Sequence, residues 1–168
     1  MQLRNRLVQN VVATNERDTQ RERDVPNVFD DEPLKERVCT IITDLYTTLG
    51  AGRRESVYQK ALQYKLCQQN FNVLSEYPVP LMFEQKKVGC AYLDLLLPDK
   101  FFIEVKANSK VSIRDVLQCK AYSRETSLPG FLVNFTQQLN SETPPEIFLL
   151  EENRSETLSR TTHTIVLP

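Results

Sequence analysis

Residues 91–106, Ala-Tyr-Leu-Asp-Leu-Leu-Leu-Pro-Asp-Lys-Phe-Phe-Ile-Glu-Val-Lys, set three ionisable side chains into two otherwise apolar runs. The first run, Ala91–Leu97, supplies Asp94, and the second, Phe101–Lys106, supplies Glu104 and Lys106. Pro98, Asp99 and Lys100 are turn material between them, so the runs are expected to pair as a hairpin. Side chains alternate across a strand, which sends Glu104 and Lys106 to the same face. A carboxylate in so apolar a strand must be paired, hydrated or metal-bound, because an isolated buried charge is costly. Two carboxylates beside a lysine on adjacent strands suit a hard divalent cation with water activated beside it. A Glu104–Lys106 ion pair that only fixes register is the plainer alternative, and it leaves Asp94 in need of its own partner.

Working outward, Leu34, Val38, Ile41, Ile42, Leu45 and Leu49 recur at three- and four-residue spacing before Gly50, which predicts a helix. A second helix is expected from about Arg54 to Gln69, with Val57, Tyr58, Ala61, Leu62, Tyr64 and Leu66 apolar. Strand-like stretches follow at Phe71–Tyr77, Val79–Phe83, Lys87–Leu97 and Phe101–Lys106, with Glu84-Gln85-Lys86 turning the chain between the second and third. Ile113–Arg124 reads as a third helix, and Phe131–Phe135 and Ile147–Leu150 as short buried strands. Helices interleaved with strands in this order predict an α/β sandwich.

The chain has 168 residues, enough for one domain with a full core and too few for two ordinary ones. Residues 1–32 are densely charged, with Glu-Arg-Asp-Thr-Gln-Arg-Glu-Arg-Asp in the middle, and read as a solvated arm. Residues 33–152 are the expected domain, and 153–168 a polar tail. No apolar stretch approaches the ~20 residues of a membrane span. The first residues, Met-Gln-Leu-Arg-Asn-Arg, lack the apolar centre of a secretory signal, so the protein is expected inside the cell, in cytoplasm or nucleus, with no membrane partner.

Four scattered cysteines, Cys39, Cys67, Cys90 and Cys119, form no Cys-x-x-Cys pair and are expected to be reduced and mostly buried. One histidine, His163, leaves little material for Ser-His-Asp or Cys-His chemistry. The net charge of −1 argues against tight autonomous binding to nucleic acid. Gly50-Ala51-Gly52 lacks the lysine and the spacing of a phosphate loop, so these glycines are expected to serve a turn.

Gly52-Arg53-Arg54-Glu55-Ser56-Val57-Tyr58, followed by Ala61-Leu62, resembles the signature of the GxxExxY family. Asp94-Leu95-Leu96, Glu104-Val105-Lys106-Ala107, Gln118 with Tyr122, and Leu132-Val133-Asn134-Phe135 match it in the same order over roughly residues 34–150. Leu93 stands where the wider superfamily usually has proline. That family is placed among the restriction-endonuclease-like proteins of the PD-(D/E)XK superfamily. The resemblance implies a central mixed sheet flanked by helices. It implies that Asp94, Glu104 and Glu55 ligate Mg2+ or Mn2+, that Lys106 acts beside the scissile phosphate, and that Gln118 stands against the site. Tyr58 and Tyr122 read as core aromatics packing beside it. Arg53, Arg54, Lys110, Arg114 and Lys120 flank the site and suit a phosphate backbone, or are ordinary solvated charges.

The activity expected on this basis is metal-dependent hydrolysis of nucleic-acid phosphodiester bonds, DNA first. The alternative is a structural or assembly protein, part of a large complex, that reuses the fold and binds a partner, or itself, through residues 1–32. Nucleic-acid binding without cleavage is a third option.

Overall fold

The computed structural model describes residues 28–137 and 144–158. The arm reading for residues 1–27 lies outside the described residues. Its last residues do not behave as a solvated arm, because Val28 and Phe29 are buried in the core. The guanidinium of Arg154 lies 4.2 Å from the centre of the Phe29 ring and 3.4 Å from Asp30 Oδ1.

Helix α1 spans Glu32–Leu49. The Asp31 carboxylate accepts from the Leu34 N–H at 3.0 Å, and Pro33 occupies the first turn, where its missing N–H costs nothing. Val38, Ile41, Ile42 and Leu45 face inward, and Gly50, at φ 69, ends the helix. Helix α2, Glu55–Gln68, buries Tyr58, Leu62 and Leu66 at four-residue intervals. Helix α3, Ile113–Thr126, starts from a reciprocal cap between Ser112 and Asp115 and buries Val116, Cys119 and Ser123.

Six strands, β1 Leu74–Phe83, β2 Lys86–Leu97, β3 Phe101–Lys106, β4 Gly130–Asn134, β5 Glu146–Leu150 and β6 Ser155–Thr157, form one sheet in that order. Strands β3 and β4, joined through α3, are parallel, and every other pair is antiparallel. The hairpin expected at Pro98–Lys100 is present. The Lys100 N–H bonds to the Leu97 carbonyl at 3.1 Å, with Pro98 and then Asp99, at φ 60, as the central pair. Glu84 and Gln85, both at positive φ, make the two-residue turn between β1 and β2.

Alternation along the strands divides the core. Leu95, Leu97, Phe101, Ile103, Val105, Phe131, Val133 and Ile147 pack under α1 and α2. Leu93, Leu96, Phe102, Leu132 and Phe148 pack against Val116 and Cys119 of α3. The result is an α/β sandwich with a mixed sheet between two helices and one, consistent with the restriction-endonuclease-like expectation.

Three expectations need correction. The two stretches Phe71–Tyr77 and Val79–Phe83 are one strand beginning at Leu74. That strand is an edge of the sheet, and Pro78 and Pro80, two residues apart, turn the same backbone side outward without breaking the ladder. Ser155–Thr157, inside the segment read as a tail, forms β6 on β5, and Lys35 of α1 ties it down with Nζ 3.3 Å from Glu156 and 2.7 Å from Glu32. Of the four cysteines expected to be mostly buried, only Cys119 is buried, and Cys67 is exposed.

Gly130 opens β4 where no side chain fits. A Cβ there would stand 2.3 Å from the Phe102 ring and 2.8 Å from Cys119 Sγ. Gly130→Ala is therefore expected to lower stability by about 1–3 kcal/mol, read as a lower urea midpoint with unchanged slope. Combined with Phe102→Leu, which removes the ring that the new methyl strikes, its cost is expected to be less than additive.

Candidate active site

The sheet loses its regularity at Asp94. Strands β2 and β3 pair over three rungs only, Leu97–Phe101, Leu96–Phe102 and Leu95–Ile103. Continuing that register would set Leu93 against Val105. Instead the Asp94 carboxylate takes the place of a backbone acceptor, and its Oδ2 receives the Val105 N–H at 2.7 Å. Side-chain alternation breaks at the same level, since Leu93 and Leu96 both face α3 although they are three residues apart. Opposite Asp94 on β1, Glu76 has a left-handed backbone, φ 51.

Glu104 and Lys106 share the α3 face, as the period of two requires. Lys106 Nζ donates to Glu104 Oε1 at 2.9 Å, with the two side chains 13% and 4% exposed. The other oxygen, Glu104 Oε2, is buried and has no hydrogen-bond partner among the described residues. Each strand carboxylate thus has one oxygen held by the protein and a second that takes no hydrogen bond from the described residues.

Charge crowding sets the protonation behaviour. Burial pushes the Glu104 carboxyl up to about 7, and the nearby Asp94 charge adds to it against the pull of Lys106. Burial likewise pushes Asp94 up to about 6, against the Val105 N–H and Lys106, while Glu55 and Glu76 add to the rise. Burial disfavours the Lys106 ammonium, but the Glu104 carboxylate outweighs it, and Glu55 and Asp94 help, so the lysine stays above its ordinary value. Burial also pushes up the neighbouring Cys119 thiol, which makes it inert.

Glu55 opens α2, exposed, close enough for its charge to bear on all three. Tyr58 fixes that helix start. Its hydroxyl donates to the Gly50 carbonyl at 2.6 Å and accepts from the Arg53 N–H at 3.3 Å, while its ring stacks on Phe135 at 4.3 Å. The Gly-to-Tyr signature is therefore a clamped turn presenting a glutamate. Among the described residues, no three His, Cys, Asp or Glu side chains converge as a preformed metal cage. The donor set nonetheless fits a hard cation, because the two strand carboxylates offer oxygen donors and one of those oxygens is buried without a partner.

The remaining candidates lie further out. Gln118 Nε2 donates to the Tyr122 hydroxyl at 2.8 Å and makes no hydrogen bond to the strand acids. Arg53 Nε donates to the Leu49 carbonyl at 3.3 Å. Arg54 is the exposed residue before α2, Lys110 and Arg114 are exposed, and Lys120 is half-buried. Among the described residues none of these five cations is in a salt bridge. Sequence reasoning missed Gln59, whose amide reaches the Asp94 carbonyl at 3.1 Å. Its position four residues after Glu55, on the same helix face, was the available signal. It also missed the purpose of Asn134, fully buried, which pairs with both backbone groups of Asn108 and with Glu146, and so anchors the loop that follows Lys106.

Both strand acids hold protons in the folded chain that the unfolded chain releases near pH 4. Stability is therefore expected to fall as pH rises from about 4.5 to about 7 and to level off above that. Asp94→Asn keeps an acceptor for Val105 and removes the charge. It is expected to raise stability at pH 7.5 by about 1–3 kcal/mol, about half as much at pH 5, and almost not at all at pH 3.5, measured by urea unfolding at the three pH values.

A family model described as the PD-(D/E)XK nuclease superfamily matches residues 32–144. No curated protein and no solved structure matches the chain. The match spans α1 through β4 and contains Glu55, Asp94, Glu104 and Lys106, the residues whose charges meet where β2 parts from β3. The chain belongs to the PD-(D/E)XK nuclease superfamily.

Proposed function

We propose that the protein is a nuclease that hydrolyses phosphodiester bonds of nucleic acid, DNA first, with Mg2+ or Mn2+ as cofactor. The observation that carries this reading is the Asp94–Glu104–Lys106 group, in which a buried Glu104 oxygen stands unpartnered beside a second carboxylate and a lysine. Asp94 and Glu104 would hold the ion, and Glu55, at the free end of α2, would join them when substrate and ion are present. Bound there, a divalent cation lowers the pKa of water and offsets charge on the phosphate.

The chain's own groups divide the remaining work. The Val105 N–H fixes one Asp94 oxygen and leaves the other available. Lys106 remains cationic, because its neighbours hold its pKa up, so it acts on the scissile phosphate as a positive charge that steadies the transition state. Arg53, Arg54, Lys110, Arg114 and Lys120 would meet the flanking phosphates, a local basic fringe on a chain of net charge −1. Within the superfamily, the segment Gly52–Tyr58 supports placement in the GxxExxY family.

The test is cleavage of mixed single- and double-stranded DNA and RNA by the purified full chain with Mg2+ or Mn2+. Asp94→Ala and Lys106→Ala are expected to lower turnover by about 10²-fold or more, since each removes a group from the reacting centre. Wild-type turnover no higher than that of Asp94→Ala would favour the assembly reading.

A further inference from the structure

Gln59 sits one helical turn beyond Glu55 on the same face of α2. Its side-chain nitrogen faces two acceptors on two different strands, the Asp94 carbonyl of β2 at 3.1 Å and Glu76 Oε1 of β1 at 2.6 Å. An amide NH2 group has two hydrogens, so it satisfies both, and two facing acceptors leave the carboxamide one orientation.

Both strands are irregular at this level. Ser75 pairs with Leu95 and Tyr77 with Leu93, whereas Glu76 and Asp94 between them leave the ladder. Glu76 holds a left-handed backbone that non-glycine residues rarely adopt, which persists only where the surroundings impose it. Across the same level, β3 has lost its rung to β2 and keeps only the Asp94 carboxylate. The segment bearing Asp94 is thus released from regular pairing on both sides, and α2 reaches it through Gln59.

We propose that Gln59 is a positioning residue of this site, whose carboxamide, bonded to the Asp94 carbonyl and to Glu76, sets the placement of the Asp94 carboxylate relative to the Glu55 end of α2. Its consequence for turnover rests on the nuclease reading, but its consequence for Asp94 does not. A role through Asp94 rather than contact with substrate predicts a loss in kcat with KM nearly unchanged. It also predicts that a different donor of sufficient reach restores the site. Gln59→Lys meets that description, because an ammonium can donate to a carboxylate and a carbonyl together.

The experiment is amide hydrogen exchange by NMR on the metal-free full chain, with nuclease kinetics in parallel, for Gln59→Ala, Gln59→Glu, Gln59→Lys and the control Gln68→Ala. Gln68 lies on the same helix, and among the described residues its side chain bonds only to the Tyr64 hydroxyl, at 2.8 Å. In Gln59→Ala and Gln59→Glu the Val105 amide, whose acceptor is Asp94, is expected to exchange about tenfold faster. The Phe102 amide, bonded to the Pro129 carbonyl, is expected to keep its rate. The kcat is expected to fall about 10- to 100-fold, with Gln59→Lys and Gln68→Ala near wild type. Should Gln59→Ala not fold, the Glu and Lys variants make the same comparison. An unchanged Val105 rate in the alanine and glutamate variants overturns the proposal. So does an equal rise at Phe102, which marks general loosening, or a lysine variant as impaired as the glutamate one. A wild type without nuclease turnover sinks the nuclease reading, and the exchange rates still decide the role of Gln59.

Discussion

The hydrogen bond from the Val105 amide to Asp94 Oδ2 is the interaction on which the site depends. A backbone N–H cannot be buried without an acceptor, so a strand can part from its neighbour only if something replaces the missing carbonyl. Asp94 supplies that replacement from its side chain. The substitution allows β2 to leave β3 after three rungs, and it draws a carboxylate into the plane of the sheet beside Glu104. The opening between the strands and the acid that stands in it therefore have one cause.

That arrangement is electrostatically unfavourable in the protein alone. Burial raises the pKa of both Asp94 and Glu104, the Asp94 charge raises Glu104 further, Glu55 adds to both, and one lysine answers them. A sequence selected for stability alone would carry apolar residues at such strand positions, as it does at Leu96 and Phe102 just beside them. Strain of this kind is the pattern expected of a functional site, where a ligand supplies the charge that the fold withholds. The ordered surroundings support that view. Tyr58 clamps the turn before Glu55, and Asn134 clamps the loop after Lys106, so the fold invests buried hydrogen bonds in the two segments that border the charges.

Much of this was legible in the residues. The hairpin at Pro98–Lys100, the shared face of Glu104 and Lys106, and the three helices follow from periods of 2 and 3.6 together with turn and stop residues. The exceptions have local causes. Pro78 read as a strand break, yet an edge strand tolerates it and Pro80 on its unpaired side. Strand β6 is short and polar, Ser155–Thr157, and is recruited by its neighbour β5 and by the charge of Lys35 rather than by apolar alternation. Asp30-Asp31-Glu32-Pro33 carried a helix-start pattern that the charged stretch before it obscured, and Val28 and Phe29, read as part of the arm, are buried in the core. The break of alternation at Asp94 left no sequence trace, because Leu93, Leu95 and Leu96 are chemically alike and only the two faces of the sheet distinguish them. Gln59 offered only its helix-face spacing from Glu55, and its meeting with Glu76 depends on a kink that no local pattern encodes.

The central proposal is that the two strand carboxylates form one site for a divalent cation. Diffraction from crystals of the full chain soaked in Mn2+, recorded for the anomalous signal of manganese, tests it most directly. The account predicts a single strong peak bonded to oxygens of both Asp94 and Glu104, with the Val105 amide still on Asp94 Oδ2. Clear density for both side chains with no manganese on either, or manganese on one acid while Glu104 Oε2 stays buried and unpartnered, would contradict it.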